Sequence, residues 1–373
     1  MSQLNNTQTV LRYTVLLCER PSATENEYVS MLTEAYREAG YNVFFDPENF
    51  LYGDLAPEIV HLQWPEAIYD WRERLPRTDE TLAMLEQRLG WFCAAGSKIV
   101  STYHNRLPHD DATDFDSRAY RIVYGNSLVV VHHGAASITT FRNEFPDITT
   151  PRHIVCPHGP YAKKHPTLAD PRSFYGILSP VTVVLNFGRQ RPYKGGSFTR
   201  SAVNRAKSRK LCLFTVGSPS PKPRFFRLKR AWFNRRARIM RFRLFRFLLS
   251  TRFAIVWRTV PSDEIADIMQ ASDVVFLPHA NGLNTGLIPL AVTYSKPVVF
   301  PDIGNFVEQA CGWPFIETYE VGNEVSAAQA IEAMLTRLAG ASASDFDNSE
   351  WLRQNSWSEH VKRVLDNVGN SAQ

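Results

Sequence analysis

Short apolar runs alternate with longer amphipathic segments along the first half of the chain. The runs predict strands over residues 13–18, 42–45, 59–62, 98–103, 128–131 and 153–156. Apolar residues spaced three and four apart predict helices over 26–40, 80–95 and 135–143, because that spacing lines one face of a helix. Strands that alternate with helices form a parallel sheet covered on both faces, so the pattern predicts an α/β domain.

The same alternation returns in the second half, after a proline-containing stretch over 165–180 that predicts a linker. Strands are predicted over 181–187, 211–216, 253–257, 274–277 and 297–300, and helices over 325–338 and 360–368. Another helix is expected to begin at Ser262, because Asp263 and Glu264 place acids in its first turn, where the helix dipole favours them. The fold class predicted is α/β, with two such domains at about 1–165 and 175–350.

Length and composition agree with two folded domains. The chain of 373 residues is longer than one ordinary core needs, and its 44% hydrophobic and 21% charged residues are typical of globular proteins. No apolar run of about 18 residues is present, so no transmembrane helix is predicted. The polar N-terminus lacks a signal-peptide core. The five cysteines are scattered without a metal-binding spacing, which favours reduced thiols in a cytoplasm.

Positive charge is concentrated in one segment. The net charge is +5, but residues 222–252 hold many arginines and no acid, so the rest of the chain is acidic. Phenylalanines, leucines and one tryptophan alternate with these cations at helical spacing. This composition is typical of a helix that lies on an anionic membrane surface. Two other interpretations remain: a basic helix packed on its own domain, or a nucleic-acid-binding segment.

A predicted strand in the second half ends at a glycine that two cations follow. The run is LNFGRQRPYKG, with Gly188, Arg189 and Lys194 before a helix that begins near Gly195. Glycine allows the backbone to approach a ligand, the cations offset phosphate charge, and a helix N-terminus adds its dipole. Either cation alone is more often an ordinary loop charge, but the combination favours a diphosphate pocket.

A second helix start lies about a hundred residues further on. Asn284, Thr285 and Gly286 open a predicted helix over 287–294, which could offer a second set of backbone N–H groups to an anion. Two phosphate-type sites in one α/β domain favour a nucleoside-diphosphate ligand.

Polar residues follow four predicted strands of the first half. They occur in the sequences HLQWPE after residue 60, YHNRLPHD after residue 102, HHG after residue 131 and PHGPY after residue 156. Ligands of α/β sheets bind beyond the carboxyl ends of the strands, so these loops predict a cleft. A single histidine there is more often a packed structural residue. Acids and imidazoles together suit group transfer, and the candidate catalytic residues are His104, Asp110 and Glu66.

The chain resembles GT-B glycosyltransferases, close to the family 4 type of bacterial polysaccharide assembly. The motifs that carry the resemblance cover most of the chain in order. In the second half they are FGRQRPYKGG, VPSDEIADIMQASDVVFLP and NTGLIPLAVTYSKPVVFPDIG, and in the first half HLQWPE and YHNRLPHD. The resemblance implies two Rossmann-like domains that face each other across a cleft, the first for the acceptor and the second for the nucleotide sugar. It also implies that the helix within 356–373 returns to the first domain.

The resemblance assigns roles to several residues. Arg189 and Lys194 match the family's contacts to the donor diphosphate, Thr285 and Gly286 match the helix start at the distal phosphate, and Glu308 matches a glutamate after a glycine-containing turn. No bound metal or cofactor is expected, since the cations can neutralise the diphosphate. The family's paired glutamates fall at Gly282 and Leu290, so the pattern does not identify the donor or the stereochemistry.

The function expected from the sequence is a glycosyltransferase that moves a sugar from a nucleotide-diphosphate sugar to a lipid-linked glycan. It would act in bacterial exopolysaccharide, capsule or lipopolysaccharide synthesis, in the cytoplasm on the inner face of the membrane, docked through 222–252 and without nucleic acid as a partner. An inverting enzyme would need Asp110, Glu66 or His104 as a base, whereas in a retaining enzyme His104 would bind the sugar. The alternatives are a nucleotide-sugar epimerase or glycan phosphorylase of the same fold, or a basic nucleic-acid-binding protein.

Overall fold

Two compact units make up the chain. The computed structural model describes residues 10–21, 27–71, 74–108, 112–177, 180–189, 196–208, 210–218 and 253–369. The first unit comprises Met1–Ala162 and Leu352–Gln373, and the second comprises Lys163–Trp351. Each unit contains its own six-stranded sheet, and every pair of neighbouring strands in both sheets is parallel. The predicted α/β class with two Rossmann-like halves is confirmed.

The first sheet has the strand order β2-β1-β3-β4-β5-β6. Its strands are β1 Leu11–Leu17, β2 Asn42–Phe45, β3 Pro57–Leu62, β4 Lys98–Thr102, β5 Val129–His132 and β6 Arg152–Val155. The central strands are buried on both faces, which explains their continuous apolar sequences. The order reverses direction between β1 and β3, and the crevice at such a point is where sheets of this kind bind ligands.

Helices cover the first sheet, and the last helix of the chain is one of them. They are Tyr28–Glu38, Pro47–Tyr52, Asp79–Ala95, Asp114–Gly125, Ala135–Glu144 and Trp357–Gly369, with one π-helical turn at Ala67–Trp71. The last helix buries Trp357, Val361, Val364 and Val368, one helical face, in the same core as Tyr28. The C-terminal residues therefore complete the core of the first unit.

The second sheet has the strand order β12-β11-β10-β7-β8-β9. Its strands are β7 Thr182–Phe187, β8 Leu211–Val216, β9 Phe253–Val256, β10 Val274–Phe276, β11 Val298–Pro301 and β12 Ile316–Tyr319. Its α-helices are Pro171–Phe174, Gly196–Arg205, Ile265–Ala271, Leu287–Thr293, Phe306–Ala310 and Glu324–Ala339, and Ser349–Gln354 joins the two units. The order reverses between β7 and β10, and the crevice at such a point is where sheets of this kind bind ligands.

The stretch 165–180 is not a free linker. The carboxylate of Asp267 accepts hydrogen bonds from the backbone N–H groups of Thr167 and Leu168, both at 2.9 Å. Arg172 forms an ion pair with Asp273 at 2.6 Å. The prolines do not indicate a linker here, because Pro171 occupies the first turn of a short helix, where a proline is tolerated. The stretch belongs to the second unit.

None of the described helices is long and apolar enough to cross a membrane. The basic segment 222–252 lies outside the described residues, and so does the polar N-terminus up to residue 9.

Candidate functional site

The carboxyl ends of five neighbouring strands bring polar residues to one edge of the first sheet. These residues are Glu19 after β1, Gln63 and Trp64 after β3, His104 after β4, His133 after β5 and His158 after β6. The structure thus gathers the four polar loops noted in the sequence. It adds Glu19 and, from the last helix, His360, whose Nδ1 lies 3.0 Å from the carbonyl oxygen of Pro157.

The ring of Tyr28 lies at the centre of this cluster. It meets His104, His158 and Trp357 edge to face, with centroids 4.8, 5.0 and 4.8 Å apart. Edge-to-face contacts of this kind add to the stability given by burial alone. Most of the histidines at this edge are therefore packed side chains.

His104 is buried and held on two sides. Its Nε2 is hydrogen-bonded to Oε1 of Gln63 at 3.0 Å, and its ring stacks on Trp64 with centroids 4.4 Å apart. Burial, followed by the neighbouring imidazole of His133, holds the pKa of His104 well below its usual range. At neutral pH the imidazole is uncharged, which suits hydrogen bonding to a hydroxyl group better than it suits binding an anion.

Glu66 lies immediately before the π-helical turn Ala67–Trp71. Glu66 is 7% exposed, and its carboxyl group accepts a hydrogen bond from the phenol of Tyr120 at 2.5 Å. Burial raises the pKa of Glu66 to about 7, and Asp116 nearby adds to the rise. A carboxyl group with this pKa can exchange a proton near neutrality, which is what a general acid or base needs. Asp110, the third predicted catalytic residue, lies outside the described residues.

Glu19 is a residue of this edge that sequence reasoning did not select. Its Oε1 accepts hydrogen bonds from the backbone N–H groups of Gln63 and Trp64. The available signal was its position directly after the first strand, because ligands of α/β sheets bind beyond the carboxyl ends of the strands. Its partners are 44 and 45 residues away, so no local pattern could reveal them.

In the second unit, the loop after β7 lies at the reversal point of the sheet. Gly188 has φ +106°, a conformation that favours glycine, and its N–H donates to the carbonyl of Val216 at 2.9 Å. Arg189 follows and is half-buried. Lys194 lies outside the described residues, so only the first of the two predicted cations can be placed.

The neighbouring loop after β10 carries Asn284, Thr285 and Gly286. The loop after β11 holds it, since the side-chain amide of Asn305 donates to Oδ1 of Asn284 at 2.7 Å. The backbone N–H of Thr285 donates to Oε1 of Gln309 at 3.1 Å. The Thr285 N–H is thus used within the protein, and the Thr285 hydroxyl accepts from the N–H of Leu287 at 3.2 Å. Three hydrogen bonds within the protein thus hold this loop.

The positions of the family's paired glutamates are not acidic here. Gly282 is exposed at the start of the loop and Leu290 is buried in the following helix. Glu308 is exposed on the helix Phe306–Ala310, on the loop system that follows β11. Within the parts of the chain that the structure describes, no group of three or more histidines, cysteines or acids could hold a metal ion.

A curated relative matches nearly the whole chain. The chain is 27% identical over 375 residues to the GDP-mannose:glycolipid 4-beta-D-mannosyltransferase of Xanthomonas campestris pv. campestris, covering 96% of this chain and 93% of that protein. No protein-family model matches.

Two solved structures share the fold across nearly the whole chain. Sucrose-phosphate synthase from Thermosynechococcus elongatus has a TM-score of 0.66 at 14% identity, covering 97% of this chain and all of that one. Anabaena HepE in complex with UDP has a TM-score of 0.63 at 14% identity, with coverage of 96% and 100%. The fold and the class expected from the sequence are confirmed: the chain is a glycosyltransferase with the GT-B fold.

Proposed function

We propose that this enzyme transfers a sugar from a nucleotide-diphosphate sugar to a lipid-linked glycan, and that GDP-mannose is the first donor to test. The observation that carries the proposal is the similarity to a GDP-mannose:glycolipid mannosyltransferase, which extends over 96% of the chain and so includes the loops at both strand-order reversals. The pathway proposed is bacterial exopolysaccharide, capsule or lipopolysaccharide synthesis.

The donor diphosphate is assigned to the second unit. Gly188 and Arg189 leave β7 beside the loop after β10, at the crevice where sheets of this order bind nucleotides. No acid occurs between Asp170 and Asp263, so nothing in that stretch of sequence opposes a bound diphosphate. Arg189 and Lys194 would offset the charge of the departing nucleotide. We therefore propose a transfer that needs no metal ion or cofactor, and EDTA should leave turnover unchanged.

The acceptor is assigned to the first unit. A neutral imidazole can hydrogen-bond to a sugar hydroxyl, and the indole of Trp64 can pack against a sugar ring. Formation of a β-mannoside from GDP-mannose, whose mannose is α-linked, inverts the anomeric carbon and needs a base. Glu66 and Asp110 are the carboxyl groups proposed for that role, while His104 orients the acceptor.

Segment 222–252 is proposed to dock the enzyme on the cytoplasmic face of the membrane. A lipid-linked acceptor is anchored there, so docking confines the enzyme to the surface that holds its substrate. The support is the composition, in which arginines alternate with phenylalanines and leucines and no acid interrupts them.

Two measurements test the proposal in sequence. A thermal-shift screen with GDP-, UDP- and dTDP-sugars should show one nucleotide class raising the melting temperature, because a ligand that binds only the folded state stabilises it. Release of the matching nucleoside diphosphate should then require a glycolipid acceptor. Conversion of the donor without acceptor would instead indicate an epimerase, and a requirement for inorganic phosphate would indicate a phosphorylase. Either result would contradict the proposal.

A further inference from the structure

Glu19 ties β1 to the loop after β3, at the reversal point of the first sheet. Its side chain is 1% exposed, and its Oε1 accepts the backbone N–H groups of Gln63 at 3.2 Å and Trp64 at 3.0 Å. Two donors on one carboxyl oxygen define the direction of both the carboxyl group and the turn. The turn at residues 63–64 therefore cannot move without breaking its contacts with Glu19.

Two of the contacts that orient His104 come from this same turn. Gln63 supplies the side-chain oxygen that is 3.0 Å from His104 Nε2. Trp64 supplies the ring that stacks on the imidazole, with an angle of 16° between the planes. A displacement of the turn would move the hydrogen-bond partner and the stacking partner together, so the position of His104 depends on Glu19.

The carboxyl group of Glu19 is neutral near pH 7. Burial is the largest cause and raises the pKa of Glu19 to about 8. The backbone N–H groups of Gln63 and Trp64 lower this pKa, and the carboxyl group of Glu66 adds a smaller rise. A neutral carboxyl group has the same hydrogen-bonding oxygen as a glutamine amide. The two side chains should therefore hold the turn equally well.

Within the part of the chain that the structure describes, no positively charged group is among the influences on the pKa of Glu19. The adjacent thiol of Cys18 and the phenol of Tyr28 interact with it, and both have pKa values raised well above the usual range by burial, so both are neutral. Arg20, the next residue, forms an ion pair with Asp46. The surroundings thus favour a neutral group at position 19.

We propose that Glu19 is a positioning residue whose buried carboxyl group fixes the Gln63–Trp64 turn and thereby orients His104 towards the acceptor. The inference rests on the proposed function for the role of His104 as the acceptor-side residue. The coupling between Glu19, the turn and the imidazole of His104 can be measured even if the proposed function is wrong.

The test compares Glu19→Gln with Glu19→Ala in the full chain. Glu19→Gln should keep kcat/KM for the acceptor close to wild type at pH 7, because the amide oxygen can accept the same two N–H groups. Glu19→Ala should lower it by about 100-fold, the size of effect expected when a reacting group shifts by about 1 Å. The KM for the donor should be unchanged in both. Glu34→Gln, which removes an exposed carboxylate in the helix Tyr28–Glu38, is the control and should match wild type.

Either of two results would overturn the proposal. Equal inactivity of both variants would mean that the ionised carboxylate takes part in the chemistry. Wild-type activity of Glu19→Ala would mean that the turn keeps its position without the hydrogen bonds to Glu19. If Glu19→Ala fails to fold, Gln63→Leu replaces it. That variant keeps the backbone N–H that Glu19 holds but removes the side-chain partner of His104, so it should show the same selective acceptor defect.

Nitrogen-15 NMR of the imidazoles separates failure of this proposal from failure of the proposed function. The His104 resonances, assigned by loss in His104→Gln, should shift in Glu19→Ala and stay in place in Glu19→Gln, whether or not any transfer is detected. Unshifted resonances in Glu19→Ala would reject the positioning role. Shifted resonances without transferase activity would support it and reject only the substrate assignment.

Discussion

Gly217 approaches Gly188 so closely that a Cβ atom on Gly217 would lie 1.8 Å from the Gly188 carbonyl oxygen. The two glycines follow β8 and β7, which are neighbours in the second sheet. Gly217 also has φ +153°, in the range that side chains rarely adopt. Arg189 comes directly after Gly188. This contact therefore determines where the backbone places Arg189, the residue proposed to bind the donor diphosphate.

Gly217→Ala should therefore weaken donor binding and lower stability. The backbone of one strand end must shift to admit the methyl group, at a cost of about 1–3 kcal/mol. The measurements are the affinity for the donor nucleotide by calorimetry and the free energy of unfolding in denaturant. Gly90→Ala is the matched control, because Gly90 lies in the helix Asp79–Ala95, where an added methyl group would meet nothing within 4 Å. Gly90→Ala should be neutral or slightly stabilising. Similar losses of donor affinity and stability in both variants would show that the contact between Gly217 and Gly188 is not the cause.

Arg189→Ala should lower kcat/KM by about 100- to 1000-fold, because charge that develops on the departing diphosphate would lack a partner. Steady-state kinetics with saturating acceptor checks this. Arg205→Ala is the control, since Arg205 is an exposed arginine of the same unit that pairs with Glu324 at 2.9 Å. An exposed pair contributes at most about 1 kcal/mol, so its kinetics should stay near wild type. Comparable turnover in the two variants would exclude a role for the loop after β7 in binding the donor diphosphate.

Glu66 should make the stability of the chain depend on pH. Its pKa in the folded chain is about 7 against a usual 4.5, so folding favours the protonated form. The stabilisation is complete below about pH 4.5 and is lost as the pH rises through about 7, amounting to roughly 3 kcal/mol. The buried histidines, whose pKa values are lowered, change stability in the opposite sense below about pH 6.5. The measurement is therefore the difference in unfolding free energy between wild type and Glu66→Gln, which should show this decline between pH 4 and 8.

The phenol of Tyr120 gives an independent check on this assignment. Its hydrogen bond favours the ionised form of Glu66, so Tyr120→Phe should raise the pKa of Glu66 and move the decline to higher pH. An identical pH dependence in wild type, Glu66→Gln and Tyr120→Phe would show that Glu66 is not the titrating group.

The segment 222–252 should bind anionic membranes. Wild type should float with anionic liposomes at low salt and not with neutral ones, and binding should weaken as salt screens the charges beyond about 8 Å. A variant with Arg235, Arg236, Arg238, Arg241 and Arg243 changed to Gln should float less. Equal flotation of wild type and variant, or no flotation of wild type, would reject membrane docking.

The sequence predicts the buried strands better than it predicts the contacts of the site residues. β5 is predicted because a parallel strand buried on both faces is a continuous apolar run, here three valines. β12, Ile316–Tyr319, was missed because it lies at a sheet edge and is only partly buried. The contact of Thr167 with Asp267 spans 100 residues, and the contacts of Glu19 span more than 40. Partners that far apart leave no local periodicity. The sequence therefore predicts a linker where the chain is packed on the second unit, and it does not reveal what Glu19 contacts.

The most direct test of the central claim is transfer of a labelled sugar into lipid. Purified wild-type chain is incubated with GDP-mannose labelled in the mannose and a bacterial glycolipid extract, and the label in the organic phase is counted, with Arg189→Ala as the paired control. We expect wild type to move label into the lipid fraction, with a matching release of GDP, and Arg189→Ala to move little. If the label stays with the nucleotide or appears as free sugar for GDP-, UDP- and dTDP-linked donors alike, while the chain remains folded, transfer to a lipid-linked glycan is contradicted.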